Sequence, residues 1–240
     1  MLCKTRGLTL HYIKYSDSSV IACIYTEFAG RKSFIINNVR GKNSATSIGL
    51  FQPLTILEMD IYYREKKELQ RIKEARIITP LQNIPFDIRK NTIALFLAEV
   101  LYKTLREEIG NEPLFGFLLN SIQLLDCNTR GTSNFHLLFL LELSKYLGFY
   151  PLQNYSDENP IFDMLNGKFV ALLPVHPYYL DKTYSLMLND LMKLSFTTIY
   201  SMELNHTQRF ELLGKILEYY YLHLEGIGKI KSLEVLKEIF

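Results

Sequence analysis

Apolar positions follow two different rhythms along this chain, and the change falls near residue 80. Residues 8–15, LTLHYIKY, alternate apolar with polar and stop at the turn cluster Ser16-Asp17-Ser18-Ser19. Residues 20–26, VIACIYT, then form a continuous apolar run. Short runs of this kind, bounded by turn residues, predict strands, and the first two read as a pair. A third strand is predicted over 32–39, stopping at Gly41, and a fourth over 54–63, LTILEMDIYY. The small, polar and basic residues between Gly41 and Gly49 read as a loop. Residues 65–76, EKKELQRIKEAR, are ambiguous. Their propensities favour helix and they show no clean alternation, so local signals alone predict a helix there.

Past Pro80 and Pro85 the apolar spacing becomes helical. Ile93, Phe96, Leu97, Val100, Leu101 and Leu105 mark a helix ending near Gly110. Another is predicted over 114–125 after Pro113, and a third over 135–147, after Thr132-Ser133-Asn134 and stopped by Gly148. Helices resume over 186–194 and 208–224, and a last one follows Ser232, an N-cap residue. Tyr219, Tyr220 and Tyr221 cover most of a helix circumference, which predicts burial on several sides. Residues 149–184 are irregular, with Pro151, Pro160, Pro174 and Pro177, and Asn166-Gly167 predicts a short hairpin. The pattern therefore divides the chain into a β module over 1–80 and a helical domain over 81–240.

Composition narrows the class. Hydrophobic residues make up 48% and charged residues 22%, with 12 Gly and 8 Pro in 240 residues, which excludes wholesale disorder. Cys3, Cys23 and Cys127 are far apart and form no Cys-x-x-Cys pair, so cysteine alone builds neither a disulfide framework nor a zinc knuckle. The charged N-terminus lacks a signal-peptide core, and the densest apolar stretch, 135–147, is short and contains Glu142 and Lys145. A cytoplasmic protein without a membrane segment is expected. The net charge of +2 conceals a split: residues 1–80 hold 13 Lys+Arg against 7 Asp+Glu, and residues 81–240 hold 14 against 18. A basic module attached to an acidic one suggests a polyanion binder.

The chain lacks the phosphate-loop, dinucleotide, serine-hydrolase and zinc-peptidase motifs, and its five histidines form no metal-spaced pair. Asp157, Glu158 and Asp163 read as part of a polar loop. No enzyme is expected. The basic residues of the module are the stronger signal, because Lys and Arg supply sequence-independent phosphate contacts. Arg31, Arg40 and Lys42, at turns around the third strand, are the first candidates for DNA contact, followed by Lys32, Arg6, Lys14, Arg64 and Lys67. Lys66, Arg71 and Lys73 add to the charge. Tyr12, Tyr25, Phe28, Phe34, Tyr62 and Tyr63 could stack on bases, although half or more must fill a barrel interior. Tyr62 and Tyr63 are adjacent on a strand, so one of them faces outward. About 80 basic, aromatic-rich residues with four or five strands fit an OB-fold.

Four stretches carry a resemblance beyond composition: Met1-Leu2-Cys3-Lys4-Thr5-Arg6-Gly7-Leu8-Thr9-Leu10, Tyr25-Thr26-Glu27-Phe28-Ala29-Gly30-Arg31, residues 139–151 (FLLELSKYLGFYP) and residues 230–236 (IKSLEVL). In order and spacing, over essentially the whole chain, they resemble the bacterial RecO family of DNA repair proteins. The resemblance implies an α+β two-domain protein, a five-stranded OB-fold β-barrel followed by a mainly α-helical domain. It makes 68–78 the fifth barrel strand, against the local helix signal. It also implies a nucleoid-associated recombination mediator that binds single- and double-stranded DNA, anneals complementary strands and helps RecA replace the single-strand-binding protein. RecR, and in some members RecF, would be partners. The acidic, Phe-terminated tail of the single-strand-binding protein would bind an apolar groove of the helical domain, with Arg130, Lys145, Arg209, Lys229 and Lys231 as available cations. Many members carry a four-cysteine zinc site after the Gly-x-x-Pro turn, but residues 152–160 contain no cysteine, so no zinc is expected. The rival reading is a protein-interaction scaffold on an OB-like module that does not bind DNA. A nuclease or nucleotidyl transferase is a weaker third.

Overall fold

The computed structural model describes residues 1–37 and 48–240. Five strands, β1 (Leu2–Lys14), β2 (Val20–Thr26), β3 (Gly30–Ile36), β4 (Ile56–Tyr62) and β5 (Leu69–Ile77), close into a barrel in the order β1-β2-β3-β5-β4. All neighbours are antiparallel except β3 and β5. This is the five-stranded arrangement of an OB-fold.

The long β1 serves two neighbours because it bends at Leu10, where an extra residue between Thr9 and His11 shifts its register against β2. Ala22, Ile24, Phe34, Ile36, Phe51, Leu57, Met59 and Ile61 fill the interior. Gly7 lets β1 cross this core, since a Cβ there would stand 2.5 Å from Met59 Cε and 2.7 Å from Ile24 Cγ2. Residues 69–77 form a strand despite their helical propensity. Asp60 pairs with Glu74 and Ile61 with Ile72, so Lys73 is an extra residue and the inward positions run Gln70, Ile72, Ala75. That bulge erases the alternation which local reading requires, and pairing on both sides overrides propensity.

Six helices follow: α1 (Ile88–Thr104), α2 (Glu112–Cys127), α3 (Phe135–Leu147), α4 (Lys182–Met192), α5 (His206–His223) and α6 (Ser232–Ile239). Asp87 caps α1 by accepting the N–H groups of Arg89 and Lys90. The connection from β5 is fixed by the buried Asp126 carboxylate, which accepts N–H groups from Gln82, Asn83 and Ile84 at 2.7–2.8 Å. Burial pushes this carboxyl up, and the three backbone donors more than reverse it, leaving it below its usual value. The chain forms two compact units, one of Met1–Cys127 with Ile230–Leu236, the other of Asn128–Lys229 with Lys237–Phe240.

In the second unit α3 is buried along almost its whole length and ends at Gly148, whose φ of +85° supplies the left-handed cap expected from the sequence. Asn205 and Gln208 form a capping box at α5. Tyr219 and Tyr220 are both buried, and their hydroxyls donate to the carbonyls of Phe149 and Leu140, while Tyr221 is exposed. The irregular stretch folds into a small sheet ordered β7-β6-β8, from β6 (Ile161–Asp163), β7 (Lys168–Val170) and β8 (Tyr179–Leu180). The predicted turn at Asn166-Gly167 joins β6 to β7. Among the described residues no helix is long and apolar enough to cross a membrane.

Candidate nucleic-acid interface

The cations picked out in the sequence fall into distinct environments. Arg31 is held inside the first unit: its guanidinium donates to the carbonyls of Tyr102 at 3.0 Å and Leu105 at 3.3 Å and lies 4.7 Å from the Tyr102 ring centre. These carbonyls end α1, so Arg31 acts as a C-terminal cap supplied from the barrel. Lys32 is only 4% exposed. Its position on β3 shares the inward face with Phe34 and Ile36, and its ammonium pairs with Glu108 near the Tyr63 ring. The backbone closes tightly around both residues, because a Cβ on Gly30 would meet Glu107 O at 2.5 Å and one on Gly110 would meet Phe28 O at 2.4 Å. Arg6 forms a two-point pair with Glu27 beside the Phe115 ring, which holds the Glu27 carboxyl below its usual range. Lys14 is exposed at the β1–β2 tip and paired with Asp17 at 3.0 Å. Arg40 and Lys42 lie outside the described residues.

Arg64 and Lys67 behave differently. Both are exposed and line a cleft of about 620 Å³ between the start of β1 and the β4–β5 turn. Leu2 pairs with Tyr62 across β1 and β4, and Tyr62 pairs with Arg71 across β4 and β5. Cross-strand partners share a face, so a leucine, a tyrosine and a guanidinium lie in one outward row, all exposed. Leu69 joins them from β5. Tyr62 is 48% exposed, whereas Tyr63 packs against the barrel core and meets Phe28 edge-on at 5.4 Å. Of the other aromatics, Tyr25 and Phe34 are buried, Tyr12 packs on the core and Phe28 is exposed.

The turn is braced from beneath. Gln70 is 2% exposed, and its side chain accepts from Arg64 N at 2.9 Å, donates to Arg64 O at 2.8 Å and donates to Lys67 O. Arg64, Lys67 and Arg71 therefore face one cleft, and among the described residues none that lines it is acidic. Sequence reasoning counted Arg71 only towards total charge and passed over Gln70. The signal for both lay in β5 parity, which the Lys73 bulge obscures.

Arg209 is half-buried, donating to Asn134 Oδ1 at 2.9 Å and Leu204 O at 2.8 Å. Lys145 pairs with Glu142 and lies 4.6 Å from the Tyr150 ring centre. Arg130, Lys229 and Lys231 are exposed, and the Lys231 N–H donates to Glu99.

The segment that follows Pro151 is held by side chain to backbone hydrogen bonds. Asn154 bonds both the N–H and the C=O of Phe169, at 2.9 and 2.8 Å. The buried Asp163 carboxylate accepts from Leu165 N, Asn166 N and Asn166 Nδ2, with His176 Nε2 at 3.3 Å. Phe162, Phe169, Tyr155 and Tyr219 pack ring against ring around them. Cys3 and Cys23 lie in the barrel strands and Cys127 ends α2, so this segment holds no cysteine. Among the described residues no cluster of three or more His, Cys, Asp or Glu side chains suits a metal ion.

Two family models match the chain: recombination protein O N terminal over residues 1–81, and recombination protein O C terminal over residues 85–234. The chain is 44% identical to the DNA repair protein RecO of Bacteroides fragilis, 43% to that of Phocaeicola vulgatus and 39% to that of Flavobacterium psychrophilum. Each alignment covers the whole of both chains.

Proposed function

The chain belongs to the RecO family and so to DNA repair and recombination, and from that premise we propose that it is a non-enzymatic mediator which binds DNA through its barrel and brings complementary strands together. The observation that carries the reading is the cleft at the β4–β5 turn, where Arg64, Lys67 and Arg71 surround an exposed tyrosine. Two cations on a braced turn and a third on β5 attract phosphates without selecting a sequence, and each phosphate neutralised releases counterions. Lys14, paired with Asp17 at the β1–β2 tip, is a separate candidate from this cleft, and Arg40 and Lys42 remain candidates from the sequence. Annealing follows physically, since neutralised strands repel less and contacts that spare the base edges leave them free to pair.

The helical domain, residues 81–240, serves partner contacts in this reading, with RecR and the acidic tail of the single-strand-binding protein as the proteins met there, RecF joining in some settings and RecA acting downstream. Its segment after Pro151 folds without zinc, the Asn154 and Asp163 hydrogen bonds and the aromatic cluster doing what thiolates and metal do in the four-cysteine relatives. A fluorescence annealing assay with complementary oligonucleotides, bare and coated with single-strand-binding protein, tests the function. Acceleration in both cases is expected. Absence of both binding and annealing at low salt would favour the scaffold reading.

A further inference from the structure

We propose that the cleft at the β4–β5 turn selects unpaired over paired DNA, taking one or two nucleotides with a base stacked on Tyr62 and the flanking phosphates held by Arg64, Lys67 and Arg71. This rests on the DNA-binding reading and sharpens it. The Leu2-Tyr62-Arg71 row places an exposed ring between an apolar neighbour and a cation, with Leu69 extending the apolar surface. A nucleotide presents the complementary pattern, a flat apolar base beside an anionic phosphate. The volume of about 620 Å³ is that of a small-ligand site rather than of a groove for a double helix. In a duplex both faces of each base are already stacked, so only phosphates reach the cleft and the tyrosine gains nothing. Every unpaired base has a free face, so the preference is for single strands and is indifferent to sequence.

The brace beneath the turn supports the same assignment. Buried Gln70 fixes the backbone at Arg64 and Lys67 before any ligand arrives, so less backbone ordering entropy opposes binding than on a free loop. The outer β3 position that would offer another cation to DNA is already used, because Arg31 caps α1. A consequence for annealing follows: as a held strand becomes paired, its bases stack on one another, the Tyr62 contact is lost and the product duplex is released from this subsite.

The test uses the full chain, with fluorescence anisotropy on a mixed-sequence single strand and on a duplex of equal length. Tyr62→Ala is expected to weaken single-strand binding by roughly 5- to 150-fold, the range for one aromatic–base stack, and to leave duplex affinity unchanged. Tyr62→Phe retains wild-type binding. A single strand carrying 2-aminopurine is expected to be quenched on binding the unsubstituted protein, a readout that needs no variant to fold. Equal losses on both DNA forms, no loss on the single strand, or no quenching would overturn the subsite while leaving DNA binding intact. Failure of the unsubstituted protein to bind either DNA would instead defeat the reading on which it rests.

Discussion

Replacing Arg31 by alanine separates two roles that the same residue can play. In the structure its guanidinium supplies two hydrogen bonds to the last carbonyls of α1 and faces the Tyr102 ring. Hydrogen bonds from a charged donor contribute about 1.5–3 kcal/mol and a half-exposed cation–π contact about 0.5–1 kcal/mol. Water reaches part of the site and recovers some of this, so a loss of about 2–3 kcal/mol is expected. With a urea m-value near 2 kcal/mol/M, that moves the unfolding midpoint down by about 1–1.5 M. Arg31→Lys keeps the charge but not the planar fork and falls between. The assay is urea unfolding of the full chain, paired with a salt titration of DNA affinity. An unchanged midpoint together with a log–log salt slope flattened by about 0.7–0.9, the signature of one lost phosphate contact, would refute the capping role and return Arg31 to the DNA surface.

Three further outcomes follow from named features. His136 is fully buried, and that burial, with the Arg209 charge adding to it, pushes its pKa from 6.5 down to about 3. The unfolded chain takes up this proton near pH 6.5 and the folded one refuses it, so stability is whole above about pH 6.5 and falls below it by up to about 1.4 kcal/mol per pH unit until about pH 3. Urea midpoints at pH 7 and 5 should diverge less in His136→Leu, and parallel losses would contradict the assignment. Elemental analysis should find no stoichiometric zinc, while Asp163→Ala, which orphans three donors, should destabilise the second unit by about 2–3 kcal/mol; one tightly held zinc per chain would reverse this account. Calorimetry with the acidic tail peptide of the single-strand-binding protein should give salt-sensitive, micromolar binding that vanishes when the terminal Phe is deleted, and equal binding of both peptides would remove the pocket.

Much of the fold is legible because periodicity is a local property. The first four strands, the Asn166-Gly167 hairpin and the Gly148 stop all follow from short-range patterns. The fifth strand is hidden locally because its bulge at Lys73 breaks the alternation, and only the family resemblance places it. The site was legible in part. Adjacent Tyr62 and Tyr63 had to face opposite ways, and they do. Charge counting alone cannot rank the cations, because what occupies Lys32 and Arg31 lies far along the chain: Glu108 is 76 residues from Lys32, and the carbonyls that Arg31 caps are 71 and 74 residues away. Strand parity did carry a warning for Lys32, which shares its face with Phe34 and Ile36.

The most direct test of the account is the salt dependence of single-strand affinity for the unsubstituted protein and for a variant with Arg64, Lys67 and Arg71 all changed to Gln. Log affinity should fall linearly with log salt in both. The variant's slope should be shallower by up to about 2, or about 0.7 for each phosphate contact removed from a single strand, with its urea midpoint unchanged. An identical slope in a folded variant would contradict the claim that this cleft is where the protein meets DNA.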